Sequence, residues 1–347
     1  MNASDSKSEV LLNGGTVSSN LTLSAKNQYF NMQSVSLTVI KLLLIALFGF
    51  YLYKRKVITD QALGVLTALV INFTFPFLIF SRLIGSSQIV LSSSLWVFIL
   101  IAILIFLVGY FLGLIVSWGK SHKLKEEFIS AISFQNGGYL PISIAFFLFP
   151  AGGLREKFLV YIFLYLLGYN VIMWSLGSFL IFRKKKEAFR FQSLFTPPVL
   201  GIVLALLFIY TKTIGFIPKT LLDPLQMVGD TSFVLSLIIL GCWLAKIKLE
   251  GFTKQLMLIF ELGLLKLLLM PLLFMIGLVY FKLFSLLGVF IVLEAAMPSA
   301  VSLPIIANLR GADSEFVSQG VFFTHLLSII TIPLLLSLMQ VLGFSFL

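Results

Sequence analysis

Apolar runs of about twenty residues recur along almost the whole chain, separated by short polar or basic stretches. They fall at about 35–53, 63–83, 95–118, 127–149, 157–182, 197–214, 221–247, 255–281, 285–309 and 315–345. Each is close to the roughly 20 apolar residues that an α-helix needs to cross a bilayer. The pattern predicts an all-α membrane protein with ten transmembrane helices. The first residues differ: they are rich in Asn and Ser and lack the apolar core of a cleavable signal, so 1–34 reads as a flexible polar tail. Asn2-Ala-Ser and Asn20-Leu-Thr match the glycosylation acceptor pattern, which so Asn/Ser-rich a tail produces by chance.

Composition supports a membrane reading. The 347 residues are 59% hydrophobic and 11% charged with a mean hydropathy of +1.06, whereas soluble domains are about a quarter charged. The net charge of +11 changes the picture only through its placement. A nucleic-acid partner needs a basic face on a folded soluble surface, but here the cations sit between apolar runs. With the N-terminal tail outside, the inner connectors hold Lys54-Arg55-Lys56, then Lys120, Lys123 and Lys125, then Arg183 to Lys186 with Arg190, then Lys246, Lys248 and Lys254. Outer segments hold scattered single cations. The bias favours both termini outside a plasma (cell inner) membrane. The lone Cys242 excludes a disulfide scaffold and a cysteine-based metal site, and the sequence implies no cofactor.

The largest basic run, 183–196, divides the chain into halves 35–182 and 197–347, each with five spans. An odd number of spans per half makes the two inverted repeats. Gln135-Asn-Gly-Gly-Tyr-Leu-Pro141 in the fourth span aligns with Pro298-Ser-Ala-Val-Ser-Leu-Pro304 in the ninth. Gly137, Gly138, Pro141, Pro298 and Pro304 are poor helix formers, so both spans should be broken crossover helices. Glycine and proline also merely kink membrane helices, but their matched placement in both halves points to a transporter's binding site. Pro141 and Pro304 suit the first turn of a second half-helix, whose free N–H groups would face the midplane and attract an anion. Gln135, Asn136, Ser299 and Ser302 have the donors to orient a carboxylate.

Ionisable residues within spans are expensive in hydrocarbon and count as functional candidates. Asp230, Lys266, Glu294 and His325 lie deepest and are assigned to proton or ion coupling; Lys266 and Glu294 are equally readable as a mutually neutralising pair. Lys41 and Glu261 lie near span ends, where they can reach water. Asn72 and Asn170 suit interhelical hydrogen bonds, and Asn72, the counterpart of Asp230 in the other half, is also a binding candidate. A P-loop, a nucleotide-binding glycine fingerprint and a His-Glu-x-x-His motif are absent, so the reading is not an enzyme, and transport would run on an ion gradient or the substrate's own.

Three stretches resemble the auxin efflux carrier family, which includes plant auxin exporters and bacterial malate or malonate permeases. They are LIALFGFYLYKRKVITDQALGVLTALVINFTFPFLIF at 44–80, Phe195-Thr-Pro-Pro-Val-Leu-Gly201 with Leu240-Gly-Cys-Trp-Leu-Ala245, and AAMPSAVSLPIIANLRGADSEFVSQGVFFTHLLSIITIPLLL at 295–336. The resemblance covers about 35–345. It implies a scaffold of spans 1, 2, 6 and 7, which commonly dimerises, and a moving transport domain of spans 3–5 and 8–10. The family's crossover asparagine falls on Asn136 and its crossover proline on Pro298, while glycine is usual where Pro141 stands, and apolar or small residues around Asp230 and Glu294. The expectation is an elevator-type secondary transporter of a small organic anion coupled to protons. The alternatives are a sodium-coupled symporter or cation antiporter of related fold, and a non-transporting membrane receptor or scaffold.

Overall fold

The computed structural model describes residues 32–174, 194–247, 252–304, 307 and 315–345. Most of the polar tail, the basic run 183–190, Lys248 and Arg310 lie outside them. Among the described residues the regular structure is all helical, apart from one isolated antiparallel bridge. In order the elements are α1 (Met32–Lys54), α2 (Asp60–Leu69), a π-helical turn (Val70–Thr74), α3 (Phe75–Gly85), α4 (Ser87–Ser92), α5 (Leu95–Val116), α6 (His122–Ser133), α7 (Tyr139–Leu148), α8 (Gly153–Trp174) and α9 (Pro197–Tyr210). After a short 3-10 turn come α10 (Lys219–Lys246), α11 (Phe252–Leu264), a second π turn (Leu265–Leu269), α12 (Met270–Tyr280), α13 (Leu286–Ala295) and α14 (Glu315–Val341).

Among the described residues six continuous helical stretches are long and apolar enough to cross a membrane: Asp60–Gly85, Leu95–Val116, Gly153–Trp174, Lys219–Lys246, Gln255–Tyr280 and Glu315–Val341. Helices α7, α9 and α13 are apolar but shorter. The run expected at 127–149 is two pieces. Its first, α6, starts ahead of the apolar run because Ser121 caps it, accepting from the Leu124 N–H at 3.5 Å.

Burial is distributed as lipid demands. Trp96, Met257 and Tyr280 are exposed on outward faces, whereas Gln135, Lys266, Glu294 and Ser299 are buried. In water this arrangement would be inverted. Both π turns precede a proline at the second position of the next helix, Pro76 and Pro271. Proline has no N–H and its ring crowds the carbonyl a turn back. A one-residue-wider turn, closed by Phe75 N–H to Val70 O and Met270 N–H to Leu265 O, carries the helix past that gap.

Helix packing separates two groups. α1 lies along α10, and α3 packs on α9 and α10; α5 packs on α6 and α8, α11 on α14, and α12 on α13. The α1–α10 crossing is the tightest. A Cβ on Gly241 would fall 1.8 Å from Ala46 O and one on Gly49 would fall 2.1 Å from Ile238 O, and the Cys242 thiol donates to Gly49 O at 3.2 Å. Backbones approach this closely in membranes only where small residues line the seam. Gly241→Val should therefore force the helices apart and destabilise the protein by about 1–3 kcal/mol or more, measured as a lower melting temperature in detergent, while a valine at Gly64, which has open space, should leave the melting temperature nearly unchanged.

Candidate functional site at a pair of interrupted helices

Two helices stop inside the apolar interior, and their loose ends satisfy one another. α6 ends at Ser133 and helix resumes at Tyr139, with Pro141 in the first turn. α13 ends at Ala295 and helix resumes at Leu303 and Pro304. The intervening segments run antiparallel, with Gln135 opposite Ser299. The Asn136 N–H donates to Pro298 O at 2.7 Å and the Ala300 N–H to Phe134 O at 3.0 Å.

Side chains complete the pairing. The last carbonyls of α6 are capped by the Ser299 hydroxyl, 2.6 Å from Ala131 O, and by the Lys266 ammonium, 2.7 Å from Ile132 O. A cation there opposes the negative end of the α6 dipole. The Ser299 N–H donates to Thr324 Oγ1 at 3.2 Å. The Gln135 amide donates to the Tyr165 hydroxyl, and the Tyr169 hydroxyl donates to the Gln135 carbonyl. Asn136 Nδ2 lies 3.1 Å from His325 Nε2, whose Nδ1 lies 2.8 Å from Val321 O.

A cavity of about 80 Å³ opens beside the crossing. Asn136, Tyr139, Val301 and Ser302 line one side; Thr67, Val70, Ile71, Ser236 and Trp243 line the other. A second, almost wholly apolar cavity of about 270 Å³ lies between α1, α7, α10 and α14, with His325 and Ser328 on its wall.

The structure gathers most of the residues expected at a site. Gln135, Asn136, Pro298 and Ser299 form the crossing, and Ser302 reaches the small cavity with its hydroxyl 3.9 Å from Met173 Sδ. Gly138 precedes α7 and its carbonyl accepts from Ile142 at 3.1 Å. A Cβ on Gly137 would lie 3.2 Å from both Glu294 Oε2 and Tyr165 Cε1, so the acid and the ring occupy that space.

Other expectations need correction. Lys266 and Glu294 do not meet: the ammonium is held by Ile132 O and Met270 Sδ, while both Glu294 carboxyl oxygens are buried without a hydrogen-bond partner. Asn72 is outside the site; it is exposed on the π turn, and Val70 and Ile71 line the cavity instead. Asp230 is elsewhere too. It pairs with Arg82 at 2.7 Å, and Arg82 also pairs with Glu156 at 2.9 Å, joining α3, α10 and the start of α8. Arg82 and Arg155 flank the Phe146 ring at 5.6 and 5.4 Å. Glu261 pairs with Lys120 at 3.2 Å, and Lys41 sits over Phe147.

Tyr165, Tyr169 and Thr324 at the crossing, and Arg82 in the network away from it, are residues that the sequence reading passed over. The two tyrosines carried a signal in their four-residue spacing, which puts both on one helix face, but aromatic residues crowd that run. Arg82 looked like an ordinary span-end cation.

A model of the membrane transport protein family matches residues 34–193 and 182–336. The chain is 27% identical over 305 residues to an uncharacterised transporter of Methanothermobacter thermautotrophicus, covering 86% of this chain and 96% of that one. It is 24% identical over 318 residues to an uncharacterised transporter of Methanocaldococcus jannaschii, covering 85% and 96% respectively. The matched stretches contain both interrupted helices and the residues that pair them, and the chain belongs to the membrane transport protein family, the auxin efflux carrier group that its crossing residues resemble.

Proposed function

We propose that this protein is a secondary transporter of a small organic anion, a carboxylate such as malate, malonate or an auxin-like acid, coupled to protons. It would work as ten spans in two inverted five-helix repeats, with both termini outside. The observation that carries this reading is the crossing itself beside a cavity lined from two separate helix groups. The N-terminal turn of α7 presents N–H groups without intrahelical partners, and with the Ser302 hydroxyl beside Asn136 they offer a carboxylate donors without a buried cation in contact.

The packing supports an elevator. The cavity has the crossing on one side and α2, its π turn and α10 on the other, so sliding one helix group past the other carries the crossing while the opposite wall stays. At 80 Å³ the cavity is small, and admitting a whole dicarboxylate requires those walls to part.

A sodium-coupled reading is favoured by one feature, the partnerless carboxyl oxygens of Glu294 together with Gln135 Oε1, which also lacks a partner. Lys266 opposes it, because its ammonium is close enough to interact electrostatically with Glu294 and supplies positive charge already. Anion transport predicts that carboxylates raise the melting temperature while sodium does not.

In proteoliposomes, Asn136→Ala should lower uptake of labelled malate, malonate or indole-3-acetate about tenfold or more, the scale of one lost hydrogen bond to a charged group. If none of these acids moves through the wild-type protein under any gradient, the reading fails. Lys266→Met should cost about 1–3 kcal/mol by leaving Ile132 O unpaired, and adding Glu294→Gln should recover part of that loss. Strictly additive melting shifts in a double-mutant cycle would show that the two charges do not communicate.

A further inference from the structure

The hydrogen bonds around His325 fix its tautomer, and the tautomer fixes which end of the Asn136 amide faces the cavity. Val321 O can only accept, so the imidazole nitrogen 2.8 Å from it, Nδ1, must carry a proton. In a neutral ring Nε2 is then bare and can only accept. Asn136 Nδ2 lies 3.1 Å from it and donates. Asn136 also lines the small cavity, which His325 does not. Among the described residues the amide oxygen has no hydrogen-bond partner, and it is not sealed off, so it remains an open acceptor that repels a carboxylate placed beside it.

A second proton on the imidazole reverses this arrangement. With N–H groups at both ring positions, Nε2 no longer accepts, and Nδ2 facing it would set donor against donor. Rotating the amide by half a turn restores the hydrogen bond, with Nε2–H donating to Asn136 Oδ1. It also turns Nδ2 into the cavity beside the N-terminal turn of α7, where it donates to an anion.

We propose that His325 and Asn136 form a proton-operated amide switch, in which one proton on the imidazole converts the crossing from anion-repelling to anion-binding. The proposal rests on the anion-transport reading and supplies its coupling step. Each partner favours the other: a buried imidazolium alone is costly, and a carboxylate in the adjacent cavity offsets its charge. By linkage the proton strengthens anion binding as much as the anion strengthens proton binding.

The charged groups on elements packed against α14 include Lys41 on α1, Glu126 and Glu127 on α6, Glu261 on α11, Lys266 on the π turn and Glu294 on α13. None is within ion-pair distance of His325. The residues that α1, α7 and α10 contribute to the larger cavity are apolar or glycine. Among the described residues no carboxylate therefore neutralises the imidazolium, and the incoming anion has that role.

The test combines nitrogen NMR of histidine-labelled protein in nanodiscs with calorimetric proton counting. The chain has 2 histidines, and His122→Gln identifies the signal of the other. Without ligand, His325 should show a protonated Nδ1 and a bare Nε2. Saturating indole-3-acetate should protonate both nitrogens, with uptake of about one proton per anion in buffers of different ionisation enthalpy. His325→Gln, which offers a donor and an acceptor but does not titrate, should still bind the acid but take up no proton and lose the pH dependence of binding. A bare Nδ1 in the free protein, a ring that stays neutral when the acid binds, or undiminished proton uptake by His325→Gln would each overturn the switch while leaving anion transport intact. Absence of carboxylate binding by the wild type would overturn both.

Discussion

Hydrocarbon offers no water to an unpaired peptide group, and the two interruptions in this structure exist only because they face each other. A helix that stops in mid-membrane leaves carbonyls at one end and N–H groups at the other, each costing several kcal/mol if left bare. Here Asn136 and Ala300 close the gap backbone to backbone, and Ser299 and Lys266 cap the end of α6. The buried polar side chains follow from that requirement. Thr324 serves the Ser299 N–H, Tyr169 serves the Gln135 carbonyl, and Gly137 leaves room for the Glu294 carboxyl. Removing one member orphans others, so the crossing behaves as a unit.

The same constraint divides the ionisable residues into two kinds. Arg82, Asp230 and Glu156 answer one another directly and keep partial access to the surface, with side chains 15%, 40% and 24% exposed. That network ties three helices together, with Arg82 Nε left buried and unpartnered in it. Lys266 and Glu294 are fully buried and are met differently, the ammonium by a helix end and the acid by no hydrogen-bond donor. Glu294 also lies at the C-terminal end of α13, where the helix dipole disfavours negative charge.

How much of this was legible beforehand follows from the range over which each signal acts. Asn136-Gly-Gly with Pro141, and Pro298 with Pro304, stood out because glycine and proline are anomalous in long apolar runs, and the structure breaks helix at both. The deep charges stood out for the same reason. Partnership was not legible. Arg82 meets residues 74 and 148 positions away, and hydropathy carries no trace of such contacts. Asn72 illustrates a subtler loss: a π turn adds a residue to the helical repeat and changes which face each side chain takes, and 3.6-residue periodicity cannot anticipate it. Tyr165 and Tyr169 were hidden by company, being two aromatic residues among many in the same run.

The proposed anion site, built from neutral donors, has a consequence that a site built on arginine would not have. A fixed guanidinium attracts the anion at any pH and holds it on both sides of the membrane, so proton coupling would need a separate device. Neutral amides and helix ends attract more weakly, and their sign depends on orientation, because an amide has a donor end and an acceptor end. In the proposed switch that orientation is set by one imidazole, 3.1 Å from the Asn136 amide. Recognition and coupling can therefore share two side chains, Asn136 and His325, brought together from helices 189 positions apart in sequence. In the proposed switch the apolar wall around His325 has a purpose beyond packing: among the described residues it leaves the anion as the countercharge available to the ring.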